Sequence, residues 1–183
     1  MDSFKETAQA CVEEISTVIS CTKEEELAAI AQGFKHARRI FISGDGRSGL
    51  MGKAIAMRLM HGGYEVYVVG ETITPSIGKG DVLLLVSGSA SGVAARQVIK
   101  KAKQAGAKVM LVTANRETEF GDLCETCLFV PAATKQRKPD EPKTIQPLGN
   151  QFDQSIHLLL DAIVVKLTKE KQAEMKARHA NLE

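Results

Sequence analysis

The sequence predicts an α/β fold of three layers, in which a five-stranded parallel sheet lies between helices and follows two N-terminal helices. Two observations carry this prediction. Five short runs rich in Val, Ile and Leu are continuously apolar, as strands buried on both faces are. Helical segments alternate with these runs, which is the order of β–α–β units. The 183 residues fit a single domain.

Two amphipathic helices are predicted over about residues 2–36, because apolar side chains recur there at three- and four-residue spacing. Thr22 is the expected N-cap of the second helix, with Glu25 at the capping-box position. The apolar stripes of both helices exceed what the sheet and its other helices can cover. Part of this surface is therefore expected between subunits of a homo-oligomer.

The α/β core is predicted over about residues 38–131. Its five strands are expected at "RIFIS", "EVYVVG", "DVLLLVSG", "KVMLVTA" and "CLFVPA". The segments "LMGKAIAMRLMHGG" and "GVAARQVIKKAKQAG" suit crossover helices that each end at glycine. The connection between the second and third runs is shorter and irregular, and the fourth has room only for a short helix.

Residues 132–147 form a charged segment interrupted by proline, which is either a solvated linker or a lid over a site. A long helix follows over about residues 150–169, with a regular apolar side. A polar tail then extends to residue 183.

Composition excludes several classes of partner. A formal charge of +2, 4% aromatic residues and no Trp argue against nucleic-acid binding. No apolar run is long enough to span a membrane. The acidic, amphipathic start does not resemble a secretion signal, so a cytoplasmic location with reduced cysteines is expected. Cys124 and Cys127 form a lone C-x-x-C, which favours packing cysteines over a metal or redox site.

A glycine motif follows the first predicted strand. Gly44, Gly46 and Gly49 form a G-x-G-x-x-G that opens a helix, and the acid Glu71 comes later at the distance that a dinucleotide site requires. Such a loop also suits a single phosphate, since backbone N–H groups at a helix N-terminus attract any anion. The motif alone leaves both ligands open.

A second polar loop, "SGSASG", follows the third predicted strand. Two helix N-termini with hydroxyl groups would then converge at the carboxyl edge of the sheet, where such folds bind ligands. This arrangement suits a compact phosphate monoester better than an extended pyrophosphate. The alternative is that Ser89 or Ser91 only caps the following helix.

The run "GDGRSGLMGKAIAMRLMHGGYEVYVVGETITP", the serine loop and "TIQPLGNQFDQ" together resemble the 6-phospho-3-hexuloisomerase family of sugar isomerase (SIS) domain proteins. The resemblance covers about residues 38–168. It implies conversion of D-arabino-3-hexulose 6-phosphate to fructose 6-phosphate through an enediol, in the ribulose monophosphate pathway of formaldehyde fixation. It implies no cofactor or metal, and a homotetramer as the assembly.

The resemblance also implies roles for individual residues. Asp153 is the expected base, although the family usually has glutamate there, and an acid favoured by the helix dipole is the alternative. His61 matches a histidine near the family's active site, and a cation at a helix C-terminus is its alternative. Arg47 is a candidate substrate contact or a surface arginine. The residues expected to bind the phosphate are Ser48, Ser87, Gly88, Ser89, Ala90, Ser91 and Gly92. Glu71 then belongs to site architecture or subunit contacts.

The serine loop departs from the family, which commonly has "SGSGET" where this chain has "SGSASG". One hydroxyl donor is lost, and Ser91, one position earlier, is the candidate to replace it. Two other functions therefore stay open. One is a non-catalytic SIS-fold protein that binds a phosphosugar as a regulator. The other is an isomerase for a different phosphosugar.

Overall fold

A computed structural model describes residues 3–182 and confirms the predicted α/β fold. Five parallel strands form one sheet in the order β2-β1-β3-β4-β5. In chain order the elements are α1 (Phe4–Ser20), α2 (Glu24–His36), β1 (Ile40–Gly44), α3 (Gly46–His61), β2 (Val66–Val68), β3 (Val82–Val86), α4 (Val93–Gln104), β4 (Lys108–Thr113), a 3-10 turn (Gly121–Leu123), β5 (Thr126–Phe129), α5 (Asn150–Leu167) and α6 (Gln172–Ala177).

The two faces of the sheet carry separate cores, because successive side chains of a strand point in opposite directions. In β1, Ile40 and Ile42 pack with α2, α3 and α5, and α1 adds Val18 to that cluster. Phe41 points to the other face, where α4 contributes Ile99. Every residue of β3 is buried, which explains its continuously apolar sequence.

In the sheet, β2 lies on one side of β1, and β3, β4 and β5 follow on the other side. The strand order therefore reverses between the neighbours β1 and β3. Gly44, the last residue of β1, pairs with Val86, the last residue of β3. The glycine loop and the serine loop therefore leave the sheet side by side, as the sequence predicted. This is the place where open α/β sheets bind ligands.

Two local predictions were wrong. Thr22 does not cap α2: the N-cap is Lys23 without a side-chain hydrogen bond, and the Thr22 hydroxyl donates back to the Val18 carbonyl at 2.9 Å. The capping box instead begins α1, where Ser3 and Glu6 exchange hydrogen bonds. In addition, the segment after α5 contains the short helix α6, which the sequence did not predict.

A buried carboxylate lies just before β3. The Asp81 side chain is fully buried and accepts hydrogen bonds from Arg38 Nε at 3.0 Å, Arg39 Nη2 at 2.7 Å and the Gly78 N–H at 2.7 Å. Burial raises the pKa of Asp81, but the hydrogen bonds from Arg39, Arg38 and Gly78 outweigh it and lower the pKa to about 2. Asp81 thus joins the start of β1 to the start of β3, at the edge of the sheet opposite the glycine and serine loops.

Candidate functional site

A cleft of about 410 Å³ lies beyond the carboxyl ends of β1 and β3. Four segments form its walls: the glycine loop with the start of α3, the serine loop, the start of α5, and residues 132–147, which we call the strap. The lining residues are Asp45, Arg47, Ser48, Val86, Ser87, Gly88, Ser89, Ser91, Thr134, Lys135, Gln136, Leu148, Gly149, Phe152 and Asp153.

The glycine loop has its sequence because the backbone turns tightly there. A Cβ on Gly44 would lie 2.8 Å from the Val86 carbonyl oxygen, and one on Gly49 would collide with the Gly44 carbonyl. Gly46, the first residue of α3, has a φ of +56°. These glycines let α3 begin directly at the end of β1, so that its N-terminus and Ser48 face the cleft. The positive end of the helix dipole favours an anion at this position.

The serine loop presents side chains and backbone to the same cleft. Ser87 Oγ accepts from the Ala90 N–H at 3.1 Å, and Ser91 Oγ donates to Ser89 Oγ at 3.1 Å. Neither Ser89 nor Ser91 caps α4, whose N-cap is Gly92 with a φ of +101°. The capping alternative for these serines is therefore wrong, and their hydroxyl groups face the cleft.

Two predicted phosphate-loop residues shape the loop and do not line the cleft. Ala90 is buried with a φ of +41°, and Gly92 begins α4. The region after β4 holds the loop from behind, since Thr118 Oγ1 donates to the Ala90 carbonyl at 2.6 Å and Asn115 Nδ2 donates to the Ser89 carbonyl at 3.0 Å. The backbone that carries the serine hydroxyls is thus held by hydrogen bonds on the side of the loop that faces away from the cleft.

Asp153 lies in the first turn of α5, only 5% exposed, against the start of α3. Ser48 Oγ donates to Asp153 Oδ1 at 2.9 Å, and Arg47 Nε lies 3.3 Å from Asp153 Oδ2. Burial raises the pKa of Asp153 above its ordinary value, and the Ser48 hydrogen bond and the Arg47 charge oppose this only in part. The result is a partly desolvated carboxylate with increased basicity at the wall of the cleft, which suits proton transfer.

The strap forms one wall of the cleft through Thr134, Lys135 and Gln136. Glu141 fixes this wall by accepting hydrogen bonds from both the N–H and the hydroxyl of Thr134. Lys135, an exposed cation suited to a phosphate, was not among the predicted site residues. The cluster of basic residues in "TKQRK" was the only signal that could have indicated it.

His61 ends α3, thirteen residues after Ser48, which places it roughly 20 Å along the helix from the cleft. Its ring is buried and stacks on His179 with 5.2 Å between ring centroids. Burial, His179 and Arg58 all lower the pKa of His61. The structure therefore does not bring His61 to Asp153 within one chain.

Glu71 also lies outside the cleft, where its carboxylate pairs with Lys53 at 3.5 Å. It does not flank the glycine loop, as an acid that binds a ribose would. This position gives no support to a dinucleotide site.

The cysteine pair packs against the α4 side of the sheet. Burial raises the pKa of Cys124 to about 12 and also raises the pKa of Cys127, so both remain thiols at neutral pH. Over residues 3–182, no cluster of His, Cys, Asp or Glu side chains could hold a metal ion. Within the same range, no helix is both long and apolar enough to cross a bilayer.

Comparison with known proteins identifies the family model, the relatives and the solved structures that this chain resembles. The SIS domain family model matches residues 33–138. A 3-hexulose-6-phosphate isomerase of Bacillus subtilis is 37% identical over 162 residues, covering 87% of this chain and 88% of its own length. One from Methylomonas aminofaciens is 36% identical over 175 residues, or 94% and 96% of the two chains. A Methanococcus jannaschii protein, whose crystal structure was taken to infer 3-hexulose-6-phosphate isomerase function, superposes with a TM-score of 0.82 at 28% identity, covering 96% and 98%.

Proposed function

The chain belongs to the SIS domain family, and on that premise we propose that it is a phosphosugar isomerase, a 3-hexulose-6-phosphate isomerase. The observation that carries this proposal is the buried carboxylate of Asp153 beside a cleft lined by serine hydroxyls at a helix N-terminus. Such a cleft holds a phosphate at one point and a base at another, which is what isomerisation of a phosphorylated ketose requires.

The reaction moves a carbonyl group from C3 of the hexulose to C2. Asp153 removes the proton from C2, the electron pair forms the C2–C3 double bond, and the C3 oxygen becomes part of an enediol. The C3 oxygen takes the proton of the C2 hydroxyl, the same carboxyl returns its proton to C3, and the C2 oxygen becomes the carbonyl of fructose 6-phosphate. Atoms and electrons balance within the substrate, so the proposal includes no cofactor and no metal.

The phosphate is assigned to the serine loop and the start of α3. The hydroxyls of Ser48, Ser87, Ser89 and Ser91 line the cleft there, and helix N-termini stabilise a dianion. Lys135 on the strap adds a positive charge to the same cleft. Arg47 is assigned to the sugar side of the cleft, next to Asp153, where a donor would steady the enediolate.

His61 can take part only if a second copy of the chain carries it to the cleft, and we therefore include a homo-oligomer in the proposal, with a tetramer as its most suitable form. Exposed apolar side chains support self-association. They lie on α1, α3, α5 and the connection after β2, and include Phe4, Val12, Met57, Ile73, Leu158 and Val165.

The proposal also includes a cytoplasmic location, which rests on reading the four cysteines as reduced thiols.

The test is to supply purified protein with D-arabino-3-hexulose 6-phosphate and to follow fructose 6-phosphate without added metal or nicotinamide. Turnover supports the proposal. Tight phosphosugar binding without turnover of this or other ketose and aldose phosphates would favour a regulatory SIS protein. Preferential turnover of another phosphosugar would retain the isomerase and change its substrate.

A further inference from the structure

A continuous line of side-chain hydrogen bonds, completed by an ion pair, connects α1 to the base. Gln146 Nε2 donates to Glu14 Oε2 at 2.9 Å, and Asn150 Nδ2 donates to Gln146 Oε1 at 2.7 Å. The Arg47 guanidinium donates to Asn150 Oδ1, and Arg47 Nε lies 3.3 Å from Asp153 Oδ2. The line thus passes from α1 through the strap and the start of α5 to α3.

We infer that Glu14, Gln146 and Asn150, which we call the relay, hold the guanidinium of Arg47 against Asp153, with Gln146 as the central positioning residue. The inference rests on the proposed role of Asp153 as the base. None of the three relay residues lines the cleft, so each acts through Arg47 and not on the substrate.

The two ends of the relay set the orientation of both amides. A carboxylate only accepts hydrogen bonds, and a guanidinium only donates them. Gln146 must therefore turn its NH2 group toward Glu14, which leaves its oxygen for the NH2 group of Asn150. Asn150 then presents its own oxygen to Arg47. Reversing either amide would place donor against donor, so the relay has a single satisfied arrangement.

Glu14 remains ionised at neutral pH, which keeps the acceptor end intact. Burial raises its pKa, but hydrogen bonds from Thr144, Gln146 and the Ile145 N–H outweigh burial, and the net pKa lies below its ordinary value. The same carboxylate thereby fastens residues 144–146 of the strap to α1. The helix that precedes the α/β core thus helps to build the site.

Gln146 is the central residue of the relay, and only 1% of its surface is exposed. Its oxygen also accepts from Gln154 Nε2 at 3.0 Å, so both polar ends of the buried amide are satisfied. Truncating Gln146 would leave Asn150 without its partner and free it to rotate. Asn150 would then no longer offer a fixed oxygen to Arg47.

Arg47 needs such support because its side chain is 57% exposed and long. A free arginine at a surface samples many rotamers, whereas attachment at both Asn150 and Asp153 fixes the planar guanidinium. The charged or titratable groups near Asp153 are Arg47 at contact distance and, among the other residues that line the cleft, Asp45 and Lys135. Loss of the relay thus removes the nearest positive charge from the base.

The test compares Gln146→Met with the matched control Gln154→Met. The control removes a hydrogen bond to the same Gln146 oxygen but leaves the relay to Arg47 intact. For Gln146→Met we expect kcat/KM to fall about ten-fold, and the acid limb of its pH profile to move to higher pH. Gln154→Met should stay close to the parent protein in both measurements.

A double-mutant cycle with Arg47→Met asks whether Gln146 acts through Arg47. In the Arg47→Met background, Gln146→Met should cause little further loss. A full ten-fold loss in that background would overturn the inference, because the effect of Gln146 would then not depend on Arg47.

Titration of the Asp153 carboxyl carbon by NMR separates this inference from the proposed function, since it needs no substrate. The apparent pKa of Asp153 should rise in Gln146→Met and not in Gln154→Met. Glu14→Leu, which removes the carboxylate acceptor on the half-buried face of α1, supplies a second variant if Gln146→Met does not fold. An unchanged Asp153 pKa in these relay variants overturns the relay, whereas absence of turnover in the parent protein overturns only the isomerase.

Discussion

Ser48 and Asp153 are 105 positions apart in sequence, yet the Ser48 hydroxyl donates to the Asp153 carboxylate at 2.9 Å. One hydroxyl of the candidate phosphate loop is therefore in direct contact with the candidate base. A phosphate that binds at the start of α3 would compete for this donor. Release of the hydroxyl from Asp153 would raise the pKa of the carboxyl further and make it a stronger base when substrate is present.

Asp153→Asn is expected to abolish turnover and to leave phosphosugar binding largely intact. The change keeps the volume of the side chain and removes the base, which costs about 10²–10⁴-fold in rate. Steady-state kinetics together with calorimetric binding of fructose 6-phosphate measure both effects. Near-normal activity would remove Asp153 from the mechanism. Asp153→Glu, which restores the acid usual in the family, tests whether the shorter side chain limits the rate.

The same Asp153→Asn variant should melt no lower than the parent protein at pH 7. The pKa of Asp153 is raised in the folded state, so ionising this buried carboxyl at neutral pH costs folding free energy. A neutral amide avoids that cost, in line with the trade between stability and activity at functional sites. Thermal unfolding at pH 7 checks this, and a clear loss of stability would show that the charge of Asp153 is needed for folding.

Ser48→Ala and Ser89→Ala should each weaken phosphosugar binding about ten-fold or more, because a hydrogen bond to a charged group contributes about 1.5–3 kcal/mol. Both hydroxyls line one cleft, so the losses in the double mutant should be non-additive. Isothermal calorimetry with fructose 6-phosphate measures each variant, and inorganic phosphate should compete. If NAD raised the melting temperature while fructose 6-phosphate did not, the glycine motif would be a dinucleotide loop instead.

The strands and the position of the cleft could be predicted from sequence because both depend on local patterns. A run such as "DVLLLV" has few alternatives to a buried strand, and the loops that follow β1 and β3 must meet once the strand order reverses. Asp153 was predictable only through a motif resemblance. Gln146 was not, because its role depends on Glu14, which lies 132 positions away in sequence. Asp81 likewise depends on Arg38 and Arg39, and nothing near Asp81 in the sequence indicates that it is buried.

Asp81→Asn should destabilise the fold by about 2 kcal/mol at pH 7, since each unit of pKa shift corresponds to about 1.4 kcal/mol. The pKa of Asp81 is lowered on folding, so its contribution is present above the unfolded pKa and lost as pH falls toward about 2. At pH 3 the difference between variant and parent should be roughly half its value at pH 7. Urea unfolding at both pH values measures it.

The exposed pair of Lys166 and Glu24 provides the control for that experiment. Glu24→Gln should cost far less than Asp81→Asn at pH 7, because solvent screens both the pair, in which both side chains are more than 70% exposed, and the interaction of Glu24 with the α2 dipole. Equal losses in Asp81→Asn at pH 7 and pH 3 would show that packing, and not the charge of Asp81, accounts for its contribution.

Mixing two inactive variants should restore activity if His61 serves the cleft of a neighbouring subunit. His61→Ala and Asp153→Asn each damage one half of such a shared site, and within one chain the two residues lie too far apart to act together. Where two subunits exchange His61, a hybrid pair has one doubly damaged cleft and one intact cleft. Co-refolding equal amounts should then give about a quarter of the parent activity, because half of randomly formed pairs are hybrids with half of their clefts intact. Each variant refolded alone is the control. If His61→Ala alone keeps full activity, His61 has no catalytic role, and if the mixture stays inactive, the histidine is not supplied across subunits.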